Sequence, residues 1–138
     1  MIILDTNIVS EMMRPVPEPL VLRWFANSIK DDTHLTAISL AEILLGIELL
    51  PVGKRREVLR AGAEKTFAVI PGRVLAFDEE AAVAFSSISS TRRKQGKPIS
   101  QFDAQIAAIA RAHSATLATR NTGDFEGCGV RVVNPWEG

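Results

Sequence analysis

Four acidic positions in this sequence stand where a strand-like segment gives way to a helix-like one. Asp5 directly follows the apolar run Ile2-Ile3-Leu4, and Glu42 lies in Thr36-Ala37-Ile38-Ser39-Leu40-Ala41-Glu42. Asp103 falls three residues after Ser100, and Asp124 lies in Thr119-Arg120-Asn121-Thr122-Gly123-Asp124-Phe125, with Asn121 nearer the preceding apolar segment. Carboxylates gathered in one place repel one another unless positive charge sits among them. A hard divalent cation held by oxygen ligands and waters meets that need, and Mg²⁺ or Mn²⁺ suits a set without His or Cys. Such an ion activates water and neutralises the charge that develops on a phosphodiester under attack, so the expected chemistry is phosphodiester hydrolysis. Each acid also has a plainer reading. Asp5 can serve only as a helix cap, Ser39-x-x-Glu42 and Ser100-x-x-Asp103 both resemble capping boxes, and Asp124 can be a solvated loop residue.

The elements that would position these groups follow from punctuation and periodicity. Ile2 to Leu4 reads as a short buried strand, and Asp5-Thr6-Asn7 opens a helix that Pro15 and Pro17 stop. A helix is predicted from about Glu18 to Ser28, with Leu20, Val21, Trp24 and Phe25 on one face. Leu35-Thr36-Ala37 reads as a strand, Ser39 as the start of an apolar helix reaching about Leu50, and Lys54 to about Ala68 as a further helix. Val74 to Phe77 is predicted as a strand, and Asp78 as the cap of a helix from Glu79 to about Gln95. After a turn at Gly96-Lys97-Pro98, Ser100 to His113 is an alanine-rich helix, Thr116 to Thr119 a strand, and Val130 to Val133 the last strand. Apolar strands separated by helices imply an α/β domain with a mostly parallel sheet covered on both faces. Ligands in such sheets bind beyond the carboxyl ends of the strands, the edge where Asp5, Glu42 and the Asn121–Asp124 loop would gather and Asp103 would join them.

Composition bounds the function. At 138 residues, 46% of them hydrophobic, the chain fits one domain with one core, expected to span 1–138. Equal numbers of acidic and basic residues argue against binding nucleic acid through bulk positive charge, although a local patch is compatible with neutrality. A single cysteine, Cys128, offers neither an internal disulfide nor a cysteine-based zinc site and points to a reducing compartment. No apolar run reaches the ~18 residues of a membrane span, and the early Asp5 does not fit a signal peptide. A soluble, cytoplasmic protein is expected. The basic clusters Arg92-Arg93-Lys94 and Lys54-Arg55-Arg56 read as solvated helix ends. His34 and His113 lack ligand spacing, Trp24 and Trp136 read as core, and Cys128 as inert.

Taken together, Ile2-Ile3-Leu4-Asp5-Thr6-Asn7, Ser39-Leu40-Ala41-Glu42-Ile43-Leu44-Leu45-Gly46, Gln101-Phe102-Asp103-Ala104-Gln105-Ile106-Ala107 and Thr119-Arg120-Asn121-Thr122-Gly123-Asp124-Phe125 resemble the PIN domain. The resemblance is nearest to VapC toxins of type II toxin–antitoxin systems, in their FitB-like branch, and runs from Leu4-Asp5-Thr6-Asn7 to Asn134-Pro135-Trp136. It implies a PIN-like three-layer α/β/α sandwich, a homodimer, and Mg²⁺- or Mn²⁺-dependent cleavage of RNA, with tRNA the expected target. It also implies neutralisation by a cognate VapB-like antitoxin. Asp5, Glu42 and Asp103 match the three shared acidic, metal-holding positions, while Thr6, Asn7 and Thr119 match polar positions that would orient carboxylates or waters. Where related toxins tend to carry a fourth acid, this chain has Asn121, with Asp124 displaced along the loop. Either Asp124 supplies the fourth acid or Asn121 contributes its amide oxygen.

Rival readings stand beside this one. A phosphotransferase using Asp5 as nucleophile would want an acid two residues later, where Asn7 stands. A receiver-like signalling domain lacks its acidic pair and its late lysine. Within the resemblance, the alternatives are a catalytically inactive PIN domain acting only as a binding partner, or a DNA-cleaving nuclease.

Overall fold

The computed structural model describes residues 1–30 and 32–137. Its centre is a four-stranded sheet in the order β2-β1-β3-β4, every neighbouring pair parallel, built from β1 (Ile2–Leu4), β2 (Thr33–His34), β3 (Thr116–Ala118) and β4 (Arg131–Val133). Side chains alternate across a strand, and the register carries that alternation through the sheet. Ile3, Leu117 and Val132 face one core, while Leu4, Ala118 and Val133 face the other.

Helices cover both faces. Against Leu4 and Ala118 lie α1 (Thr6–Met12), α2 (Pro19–Ser28), α3 (Ala37–Glu48) and α4 (Lys54–Val69), which bring Ile8, Val9, Phe25, Ile43 and Ile47 to that core. Against Ile3 and Leu117 lies a hairpin of α5 (Glu79–Lys94) and α6 (Gln101–Ala112). The alanine-rich stretch of α6, Ala107 to Ala110 with Ile106 and Ile109, is fully buried, its small side chains letting the helix sit close to the sheet. Gly96, at φ +70°, lets the chain leave α5 in a left-handed conformation, as a glycine just past a helix end commonly does. This is the three-layer α/β/α sandwich that the resemblance implies.

Two expected strands are displaced or absent. In place of Leu35-Thr36-Ala37, only Thr33 and His34 pair with β1. Thr36 Oγ1 accepts from the Ser39 N–H at 3.0 Å and so caps α3, turning Ala37 into helix before the ladder can extend. Val74 to Phe77 is therefore left with one isolated bridge, Thr36 to Leu75, rather than a strand. The helix after β2 opens at Thr36 rather than Ser39, which is buried one turn inside it. Leu20, assigned to the buried face of α2, is instead 41% exposed.

The chain leaves β1 for one flank of the sheet and returns to β3 on the other side of β1. The crevice between the carboxyl ends of β1 and β3 is the ligand-binding position of such sheets.

Candidate active site

That crevice is an open cleft of about 390 Å³. Asp5, Glu42 and Asp103 line it, as do Thr6, Asn7 and Asn121, so three acids far apart in sequence meet at one cleft. Each arrives by a different local rule.

Asp5 directly follows β1 and caps α1, with Oδ1 accepting from the Thr6 N–H at 2.8 Å. Its Oδ2 accepts from the Thr119 hydroxyl at 2.7 Å and lies 3.4 Å from the donating Asn7 Nδ2. Asn7 Nδ2 also reaches Thr119 Oγ1 at 3.3 Å, so the turns after β1 and β3 are stitched together around one carboxylate. Asp5 is only 4% exposed. Burial pushes its carboxyl up to about 6, against the lowering effect of Thr119 and of the Thr6 amide, and the charges of Asp103 and Glu42 add to the rise. Asp5 thus caps α1 and faces the cleft with the same side chain.

Glu42 is not part of a capping box, because the cap of α3 is Thr36 and Glu42 lies two turns in. Its Oε1 accepts from the Thr6 hydroxyl at 3.0 Å, and the buried Ser39 Oγ lies 3.0 Å from that same hydroxyl. Burial raises its carboxyl, Thr6 opposes the rise, and Asp103 adds to it. Asp103 sits in the first turn of α6, whose cap Ser100 accepts the Asp103 N–H at 3.2 Å. Its carboxyl is raised by burial, lowered by Ser100 and raised by the neighbouring Asp124.

The loop after β3 forms a 3-10 turn, Thr122–Phe125, with Asn121 before it. The Asn121 N–H donates to Thr119 Oγ1 at 3.1 Å, which holds the residue at the cleft. Asp124 is exposed and outside the lining, yet near enough to Asp103 to raise it. Gly123 has no positive φ and an added Cβ would meet nothing within 4 Å, so the turn is ordinary rather than a glycine hinge.

Several contributors escaped sequence reading. Ser10, Glu11 and Arg14 line the cleft, spaced three, four and seven residues beyond Asn7, and this one-face period was a usable signal. Glu11 is buried, but Arg14 (3.2 Å) and the Glu18 N–H (3.1 Å) already engage its Oε2. Trp136, read as core, packs beside the α2 core and also lines the cleft. Arg92 is corrected most sharply. It is a buried guanidinium, not a solvated helix end, and it donates to the carbonyls of Lys97 (2.7 Å), Asp124 (2.9 Å) and Glu126 (2.9 Å). It therefore ties the loop bearing Asp124 to the turn that leads into α6. Its Nη1 lies 3.7 Å from Cys128 Sγ, and burial pushes that thiol up despite Arg92. His34 is structural: one ring nitrogen meets the Arg73 carbonyl at 2.7 Å and the other Asp32 at 3.0 Å.

The donor set is all oxygen, as a hard divalent ion requires, and the upward-shifted carboxyls mark a place where added positive charge would be stabilising. Among the described residues, no three Asp, Glu, His or Cys side chains stand close enough to hold an ion unaided. Hard ions such as Mg²⁺ keep several waters in their shell, so the fit needs carboxylates facing one cleft rather than a closed protein cage.

The PIN domain family model matches residues 2–127, and the chain belongs to that family. It is 44% identical to the toxin FitB of Neisseria gonorrhoeae over 137 residues, covering 99% of both chains. It is 38% identical to the VapC ribonuclease Y4jK of Sinorhizobium fredii over 138 residues, again with 99% of each covered. Among solved structures, FitAB bound to an IR36 DNA fragment superposes with a TM-score of 0.89 at 44% identity, covering 99% of this chain and 96% of that one.

Proposed function

We propose that the chain is a divalent-metal-dependent endoribonuclease toxin of a type II toxin–antitoxin pair, with tRNA its expected target. The observation that carries this is the convergence of Asp5, Glu42 and Asp103 on one cleft from three separate elements. The kinship to a FitB toxin and a VapC ribonuclease supports it.

In this reading Asp5, Glu42 and Asp103 hold Mg²⁺ or Mn²⁺. When bound, the ion supplies activation of water and neutralisation of charge on the scissile phosphodiester. The chain's own residues prepare the place. Thr119, Asn7 and the Thr6 amide fix both oxygens of Asp5, and the Thr6 hydroxyl aims Glu42. Such preorganisation means the carboxylates need not reorient when the phosphate arrives. Asn121 offers a neutral amide at the lip, while Asp124 acts on Asp103 through its charge rather than as a member of the cleft wall. The toxin works in the cytoplasm as a homodimer and is held inactive by a VapB-like antitoxin that covers the cleft. Among the described residues, no helix is long and apolar enough to cross a membrane.

The test is cleavage of bulk tRNA by purified protein in Mg²⁺ or Mn²⁺, with and without EDTA, beside single- and double-stranded DNA. EDTA-sensitive cleavage of RNA but not DNA is expected. Intact RNA in both metals, from folded protein, would leave an inactive binding domain. Preferential DNA cleavage would reassign the substrate.

A further inference from the structure

The cleft is not lined by acids alone. Arg14, Arg120 and Trp136 share it with them. Arg14 is paired with Glu11, whereas among the described residues Arg120 has no carboxylate partner. Its guanidinium lies instead over the Trp136 ring, 5.2 Å from the centroid.

This pair is held in place by backbone-directed bonds. The Arg120 N–H donates to Asn7 Oδ1 at 3.3 Å, and Asn7 is the residue whose amide also reaches Asp5. The Arg120 carbonyl accepts from Asn134 Nδ2 at 3.4 Å, while Asn134 Oδ1 accepts the Trp136 N–H at 2.9 Å. One asparagine thus fixes both members of the pair, and another links them to the acidic centre. These bonds set the backbone at both positions, and the guanidinium itself is placed by its contact with the indole.

We infer that Arg120 and Trp136 form a nucleotide subsite beside the acidic centre, which takes the nucleotide flanking the scissile phosphate. The assignment rests on the proposed action on RNA. An unpaired guanidinium offers a fork of donors to a phosphate oxygen, while the acids of the same cleft repel an uncompensated phosphate. The guanidinium plane and the indole present flat π-faces on which a base stacks without regard to its identity. The acids would hold the reacting phosphate through a bound cation, whereas Arg120 and Trp136 bind its neighbour directly. The chain needs no overall positive charge to do this, in keeping with its formal net charge of zero.

The test uses the full-length protein in two arms. In the first, Arg120→Ala, Arg120→Lys and Trp136→Phe are compared with wild type for tRNA cleavage at saturating Mg²⁺. In the second, the same changes are made on an Asp5→Asn background, and binding to a fluorescein-labelled single-stranded 12-mer RNA is titrated across salt concentrations. Arg120→Ala should raise KM and weaken oligonucleotide binding by about tenfold, with kcat within about threefold, as expected for one phosphate or stacking contact. Its slope of log affinity against log salt should be shallower by about 0.7, the single-strand value for one lost phosphate contact. Arg120→Lys should restore the salt slope but only part of the affinity, because lysine keeps charge and loses the stacking plane. Trp136→Phe should weaken binding without changing that slope. Unchanged KM, affinity and salt slope in Arg120→Ala would overturn the subsite. Oligonucleotide binding that depends on Arg120 in a protein that cleaves no RNA would refute the nuclease reading while leaving the subsite standing.

Discussion

The two halves of the acidic wall are held by opposite means. On the β1 side, every oxygen of Asp5 and one of Glu42 meets a named donor, and those donors are themselves short, buried or half-buried side chains and one amide. On the α6 side, Asp103 is engaged by Ser100, the cap of its own helix, which accepts the Asp103 N–H, and Asp124 is exposed. Order there comes from behind, through the Arg92 guanidinium that grips three carbonyls. A carboxylate fixed by its own hydrogen bonds is pre-aimed. One engaged only from within its own helix keeps more rotamer freedom.

The comparison breaks most severely at Asp5. Asp5→Asn should cut RNA cleavage by about a thousandfold or more, the scale of removing a preorganised electrostatic group. Without metal at pH 7, its melting temperature should equal or exceed that of wild type, because a buried charge has gone. Wild-type cleavage by a folded, nuclease-free preparation would remove Asp5 from the site.

Arg92→Met probes the other half. It leaves the Lys97, Asp124 and Glu126 carbonyls without their donor, and a destabilisation of about 3 kcal/mol or more is expected from losing charge-assisted bonds at a buried position. Urea denaturation measures it. A loss below about 1 kcal/mol, the size of one ordinary hydrogen bond, would mean that the loop is held by other contacts.

A comparable effect is expected from pH. Burial holds the Asp5 carboxyl at about 6, well above the ordinary aspartate value of about 4, so the folded state binds more protons than the unfolded state between those limits. Metal-free stability should therefore fall as pH rises through roughly 4 to 6, by on the order of 3 kcal/mol from this group. Mg²⁺ should offset the loss at pH 7, and Asp5→Asn should flatten the profile. Thermal unfolding across pH, with and without Mg²⁺, reads all three. Metal-free stability that rises through this window would contradict the buried-carboxylate account.

The smallest effects belong to the loop. Asp124→Asn should lower the Asp103 pKa, since their repulsion raises it, and reduce cleavage by no more than about tenfold. Asn121→Asp, facing the cleft, should strengthen Mg²⁺ binding. Carbon-detected NMR titration and calorimetry separate the two. A larger activity loss from Asp124→Asn than from Asp103→Asn would make Asp124 the principal acid of this half.

Much of the site was legible in the sequence because its signals are local. Asp5 after an apolar triplet, Ser100 capping α6 and the Thr119–Asp124 loop each announce themselves within a few residues. Asn7, Ser10, Glu11 and Arg14 share a helical period that could have been read as well. The displaced strand at Thr33–His34 was less legible, because either Thr36 or Ser39 could open α3 and only pairing with β1 decides where strand ends.

The sequence by itself therefore determined the alternation of strand and helix, the parallel sheet and the acids placed at its carboxyl edge, since hydrophobic period and capping act between near neighbours. Only the tertiary structure decided what meets across that edge. Thr6 reaches Glu42 across 36 positions, Arg92 reaches the Asp124 carbonyl across 32, and Arg120 comes to lie over Trp136. No local propensity encodes these contacts. They exist because closing the sheet on two buried cores fixes where distant backbone segments run, and the polar groups brought there must then find partners or pay the desolvation cost of having none.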